Sequence, residues 1–142
     1  MKTVVRFLLC LPLLCAPLLA GCGGGSGEKK VKTNGRLHNK GVPLTLENKM
    51  AGAIELKFYA IGDGKGPVDP KYAVVKDDGS FVLDGTDGAG VAPGKYKIVV
   101  HQYDPRPVDK LKDMFSEKNT KIVRDIAEGA AIDIDVSKPE GK

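Results

Sequence analysis

Turn signals recur so often in this chain that only short extended segments fit between them. They fall at His38-Asn39-Lys40-Gly41, Gly62 to Pro67, Asp77-Asp78-Gly79, Gly85 to Gly94, Asp104-Pro105-Arg106-Pro107 and Glu128-Gly129. Each combines residues that accept positive φ, fix φ, or bond their own backbone two residues on. The segments between them alternate apolar and polar residues, the period of a half-buried strand.

Val31 to Leu37 reads as a first strand, with Val31, Thr33 and Leu37 on one face. Gly35 shares that inner face, where a missing side chain marks a bulge or a close backbone approach. Val42 to Leu46 is short, and Pro43 assigns it to an edge. Ala53 to Ile61 alternates Ile54, Leu56, Phe58 and Ala60 against Glu55, Lys57 and Tyr59. Tyr72 to Lys76 and Ser80 to Asp84 flank Asp-Gly, a strong hairpin signal. Lys95 to Tyr103 is the longest run. Its consecutive Ile98, Val99 and Val100 predict a central strand buried on both faces. Asp109 to Ser116 places Leu111, Met114 and Phe115 at helical spacing and predicts one or two helical turns. Thr120 to Ile126 and Ala131 to Val136 predict a closing hairpin, and Ser137 to Lys142 is expected to fray. The fold expected is an all-β, antiparallel Greek-key β-sandwich of about seven strands. Glycine, at 18 residues, agrees with a turn-rich β protein better than with a helical bundle.

The domain is preceded by a leader. Met1 to Arg6 carries two positive charges, and Phe7 to Leu19 is apolar but interrupted by Pro12 and Pro17. That is a charged n-region and a short h-region, shorter than the roughly 20 apolar residues of a membrane span. Leu19-Ala20-Gly21-Cys22 resembles the lipobox of bacterial lipoproteins: Leu, two small residues, then the cysteine that is acylated. The resemblance implies cleavage after residue 21 and a diacylglyceryl group, with palmitate-like chains, on Cys22. Cys10 and Cys15 leave with the leader, so Cys22 is the single cysteine of the mature chain and no internal disulfide forms. One acyl chain anchors only reversibly and stable anchoring takes two signals, which a multiply acylated cysteine supplies. The segments expected are therefore a signal peptide at 1–21, a lipidated, Gly/Ser-rich flexible tether at 22–30, the β-domain at 31–137 and a disordered tail at 138–142. No Asp follows Cys22, which leans the placement toward the outer membrane, facing the periplasm. Once Lys2 and Arg6 have left, 20 basic and 18 acidic residues remain, interspersed. This is a solvated surface without the clustered positive charge of a nucleic-acid footprint.

Within the domain, Asp78-Gly79-Ser80-Phe81, Gly94-x-Tyr96, the run Lys97-Ile98-Val99-Val100, Gly41-Val42-Pro43-Leu44 and the closing Met114-Phe115-Ser116, Thr120 and Ile-x-Ile-x-Val are similar to the carboxypeptidase regulatory-like, or transthyretin-like, domain. The resemblance spans about Val31 to Val136. It implies a structural or interaction module without catalysis. Gly79 and Gly94 then serve tight turns. Phe81 and Tyr96 bring rings into the interior, where the Tyr96 hydroxyl needs a backbone partner.

No catalytic constellation is legible. His38 and His101 stand in separate segments without paired-ligand spacing, so no zinc site is expected; His38 reads as a surface residue and His101 as a strand-face residue. Ser26, Ser80, Ser116 and Ser137 lie in no nucleophile elbow. Gly85 to Gly94 lacks the Gly-Lys-Ser/Thr of a phosphate loop. The transthyretin-like purine hydrolases need a His and Arg constellation and a carboxyl-terminal motif that Lys138-Pro139-Glu140-Gly141-Lys142 does not supply. Loop carboxylates Asp63 and Asp69, or Asp84 and Asp87, offer oxygens for calcium, but Asp in turns has a sufficient reason of its own. No cofactor is called for. The expected function is a non-enzymatic, membrane-anchored module that contacts an envelope protein or glycan. The alternative is a small-ligand or carbohydrate-binding envelope lipoprotein, with calcium as a candidate co-ligand, using Tyr59, Tyr72 and Tyr103.

Overall fold

The computed structural model describes residues 29–62 and 69–141. The lipobox residues Leu19, Ala20 and Gly21, the acceptor Cys22, the tether up to residue 28, and Asp63 lie outside the described residues. Eight strands follow in order: β1 (Thr33–Asn39), β2 (Val42–Pro43), β3 (Ala53–Ala60), β4 (Lys71–Val75), β5 (Ser80–Leu83), β6 (Gly94–Tyr103), β7 (Val123–Ile126) and β8 (Ala131–Asp135).

They join in one sheet, β2-β1-β5-β4-β3-β6-β7, with β8 along the other edge of β1. The sheet curls into a half-barrel, and its two ends approach one another. Arg124 of β7 donates to the carbonyl of Asp133 on β8 at 3.2 Å, and Thr33 Oγ1 donates to Ala127 O at 3.4 Å. The concave side holds the core: Leu37, Leu56, Phe58, Phe81, Leu83, Ile98, Val100, Phe115, Ile122, Ile126, Ile132 and Ile134. Phe58 of β3 and Phe81 of β5 meet across it with ring centroids 5.9 Å apart, tilted by 50°.

The alternation in the sequence sets most of this. The inner-face residues of β1 are buried in turn, and Gly35 sits where Phe81 and Ile132 flank it in register. A Cβ on Gly35 would lie 2.1 Å from the Phe81 ring, which gives the close approach its physical meaning. The β1–β2 hairpin closes through Lys40 (φ 51°) and Gly41 (φ 82°), the two left-handed residues of a primed two-residue turn. Gly79 (φ 75°) and Gly94 (φ 142°) occupy conformations that L side chains rarely adopt. Ile98, Val99 and Val100 are all buried.

Three expectations are corrected. The closing segments form no hairpin. β7 pairs antiparallel with β6, while β8 runs parallel to β1 from Asn34↔Ala131 to His38↔Asp135. The sheet is therefore mixed: the apolar pattern assigned each strand an inner face, but period 2 carries no information about which neighbour it finds. Asp109 to Ser116 forms no helix. It is a chain of turns bonded Lys112 N to Asp109 O, Met114 N to Leu111 O and Ser116 N to Asp113 O, with Phe115 buried and Met114 exposed. Ser137 to Gly141, read as a fraying end, turns back so that Gly141 O accepts from Asp135 N at 3.1 Å and from the Arg124 guanidinium.

β6 explains the path of 104–122. β7 covers only its first residues, Gly94 to Lys97. Beyond that the free edge is capped by the returning chain. Ile98 N donates to Ile122 O, Val100 N to Phe115 O, and Gln102 N to Asp109 Oδ1. A buried strand edge left open would carry unpaired N–H groups, and this segment satisfies them.

Candidate interaction surface and side-chain clusters

Tyr96 is buried, and its hydroxyl donates to Ala92 O at 2.7 Å, bracing the turn that opens β6. Phe81 is core, and Gly79 packs its backbone against Leu37 O and Pro43. These are structural positions, and the chemistry lies on the other side of the sheet.

On the convex face, register places Val82 of β5 opposite Val74 of β4, Tyr72 of β4 opposite Lys57 of β3, and Glu55 and Tyr59 of β3 opposite His101 and Lys97 of β6. Tyr103 follows His101 two residues on and shares its face. All three candidate tyrosines thus stand on one surface. A cation lies over each ring: Lys57 Nζ is 5.8 Å from the Tyr72 centroid, Lys97 Nζ 6.0 Å from Tyr59, and the Arg106 guanidinium 5.8 Å from Tyr103. Glu55 ties Lys57 at 2.8 Å and Arg106 at 3.5 Å, and the bond to Lys57 holds that ammonium above its ordinary pKa. Beside this lattice an apolar strip is left uncovered. Tyr72 is 61% exposed, Val74 82% and Val82 38%. Lys76 and Asp84 border it.

The two histidines are each held by carboxylates. His38 Nδ1 accepts from Gly41 N at 3.0 Å, so its Nε2 carries the proton and donates to Asp133 at 3.1 Å. Asp135 behind it accepts from Lys40 N and Ser137 N, each at 3.0 Å. Those bonds, the Lys40 one first, bring its carboxyl down to about 2.

His101 Nδ1 lies 3.1 Å from Asp109 Oδ2, and its ring stacks on Tyr103 at 5.3 Å. Asp109 also accepts from Gln102 N at 2.9 Å, Leu111 N at 3.0 Å and Asp113 N at 3.1 Å. Burial of Asp109 works against its charge. The Gln102 N–H, the imidazole, and the Leu111 and Asp113 N–H groups outweigh that and keep its pKa below the ordinary value. Lys112 (φ 53°) and Asp113 (φ 57°), both left-handed, fold the chain back so that Asp113 joins the pair. The expectation of no zinc site rested on the spacing of the two histidines; here the second and third ligand-type groups come from a loop that this spacing does not reveal. Asp69, Asp84 and Asp87, weighed for calcium, converge with no third ligand-type group among the described residues. Asp87 instead accepts from Ala89 N and pairs with Lys30.

No protein-family model and no curated protein matches the chain. A similar solved structure is the crystal structure of a DUF3823 family protein from Parabacteroides merdae, 20% identical, with a TM-score of 0.47. The match covers 72% of this chain and 43% of that one, so this chain spans less than half the length of its neighbour.

Proposed function

We propose that this protein is a lipoprotein, anchored through Cys22 in the outer membrane and facing the periplasm, whose transthyretin-like β-sandwich docks a second envelope protein through its convex face. The anchor rests on the leader and on Leu19-Ala20-Gly21-Cys22. The docking reading is carried by one observation, the uncovered Tyr72–Val74–Val82 strip rimmed by Lys57, Glu55, Lys76 and Asp84. An apolar centre with a polar rim is the anatomy of a protein interface. The same geometry weighs against a sugar. A sugar site usually stacks on several open rings, and of the three tyrosines only Tyr72 is exposed, with Tyr59 and Tyr103 half-buried. No nucleic-acid partner and no catalysis belong to this reading.

One two-armed experiment tests it. A photoreactive phenylalanine is placed at position 72 in the wild type and in Cys22→Ala, and cells of the native host are irradiated and fractionated. The expected result is membrane-bound wild type crosslinked to one dominant protein, with Cys22→Ala uncleaved or released as soluble protein. Processing and membrane retention of Cys22→Ala like the wild type would overturn the anchor. Capture of glycan alone, or of nothing above background, would overturn the docking reading.

A further inference from the structure

We infer that His101, Asp109 and Asp113 form a binding site for one divalent first-row transition cation, with Zn²⁺ as its simplest occupant. Each offers one ligand atom, an imidazole nitrogen or a carboxylate oxygen, and these atoms lie within 4.8 Å of one another.

Distance is the first argument. The His101 Nδ1 to Asp109 Oδ2 separation of 3.1 Å is a hydrogen-bond distance, and it needs to open only to about 3.4 Å for two tetrahedral ligands about 2.1 Å from a common ion. A cation placed there takes the position of the proton now shared between them. The imidazole proton then moves to Nε2, and waters of the hydrated ion leave as the three side chains bind it.

Preorganisation is the second. Three backbone N–H groups, of Gln102, Leu111 and Asp113, fix the Asp109 carboxylate, the outer-shell support that orients metal-ligating carboxylates. The Tyr103 ring orients His101 by stacking. The side chains of His101 and Asp109 are only 12% and 7% exposed, whereas Asp113 is exposed. The pair therefore holds an ion from the protein side while Asp113 and water complete it from the solvent side. Three protein ligands and an open position make a site that also accepts an outside ligand.

Charge is the third. A neutral imidazole with two carboxylates sums to two negative charges, matched to a divalent ion. Two neighbouring cations are engaged elsewhere: Lys110 Nζ lies 2.9 Å from Glu47 and 3.7 Å from Asp104, and Arg106 lies against Glu55 and Tyr103. The nitrogen ligand selects among ions. Imidazole with carboxylates suits zinc, iron, cobalt or manganese, whereas calcium and magnesium prefer oxygen throughout.

The test uses the full chain, without an affinity tag, purified in detergent and stripped with EDTA. Zinc chloride is titrated calorimetrically in a non-chelating buffer, with calcium and magnesium chlorides in parallel, and melting is followed with and without metal. The expected result is one saturable Zn²⁺ per chain with a zinc-dependent rise in Tm, absent with calcium or magnesium. His101→Gln and Asp113→Asn should each weaken binding at least tenfold, and His38→Gln should leave it unchanged. Asp113 is the decisive variant, because its carboxylate is exposed and accepts no hydrogen bond from the described residues, so its loss spares the fold. A shift of the His101 ring nitrogen resonances on adding Zn²⁺ would place the ion directly. Absence of saturable zinc binding, binding unchanged in Asp113→Asn or in His101→Gln, or binding lost in His38→Gln, would overturn the site.

Discussion

Gly35→Ala tests the packing logic of the half-barrel at its tightest point. The added methyl would stand 2.1 Å from Phe81 Cζ and 2.7 Å from the carbonyl oxygen of Ile132. The first contact is with a side chain that can retreat, and the second with the backbone of β8, which cannot move without disturbing the β1–β8 ladder. Forcing one extra methyl into a filled interior costs about 1–3 kcal/mol, and the depth of this overlap puts Gly35→Ala at about 3 kcal/mol, the top of that range. Phe81→Leu alone removes the far edge of the ring and costs about 1–2 kcal/mol, the ordinary range for a conservative core change. Were the two independent, the double variant would lose about 4–5 kcal/mol. They are not independent here, because the methyl added by Gly35→Ala would occupy the space the ring edge vacates. The double variant should lose only about 2–3 kcal/mol, a coupling of about 2 kcal/mol and within the range found for residues in contact. The remainder of the cost belongs to the Ile132 carbonyl. Urea denaturation of the four proteins reads this directly, since a small domain has m of about 1–3 kcal/mol/M and the coupling is worth roughly 1 M in midpoint. Additive losses, agreeing within about 0.5 kcal/mol, would refute the claim that the Phe81 ring is what excludes a side chain at position 35.

Tyr96→Phe removes the 2.7 Å bond to Ala92 O while keeping the ring, and should cost about 1 kcal/mol; an unchanged denaturation midpoint would strike it from the supports of β6. Asp135 makes the fold acid-sensitive, because its carboxyl stands at about 2 in the folded chain against an ordinary 3.8. A depressed carboxylate contributes fully above its unfolded value and loses that contribution as pH falls through the folded one. Stability should therefore drop between about pH 4 and pH 2 more steeply in the wild type than in Asp135→Asn, and parallel acid limbs in the two proteins would count against it.

What the sequence makes legible is local. Strand faces follow from period 2: Ile54, Leu56, Phe58 and Ala60 were separable from Glu55, Lys57 and Tyr59 without coordinates, and the structure puts them on opposite sides of β3. Gly35 on an apolar face pointed to a bulge or a close approach, and the structure shows the close approach. The partner of each strand was not legible. Ala131 to Val136 offers the same alternation whether it folds onto Val123–Ile126 or crosses to β1. In the structure β7 pairs with β6, and β8 lies parallel along the edge of β1 opposite β5. Likewise, Leu111, Met114 and Phe115 at helical spacing reflect a segment that must bury two of its three apolar side chains. Its backbone is drawn out along β6 because the N–H groups of Ile98, Val100 and Gln102 need acceptors there.

The same edge accounts for the cluster that spacing arguments missed. His101 belongs to β6, and Asp109 and Asp113 are eight and twelve residues further on, a separation that corresponds to no motif on a helix or a strand. They meet because the chain reverses after Tyr103 and must lay an acceptor against Gln102 N. Asp109 does so with Oδ1, and its other oxygen then necessarily faces His101. Capping a strand edge with a carboxylate, rather than with another backbone carbonyl, brings acceptor sites beyond the one Gln102 uses, and Leu111 N, Asp113 N and the His101 imidazole take them. A backbone carbonyl at that position would satisfy Gln102 equally and bring no charge. The choice of Asp at 109, with Asp113 carried beside it on two consecutive left-handed residues, puts negative charge next to the imidazole of β6. Ladder completion explains why an acceptor is needed at this edge; it does not require two carboxylates around a histidine, and that surplus is what a divalent cation would use.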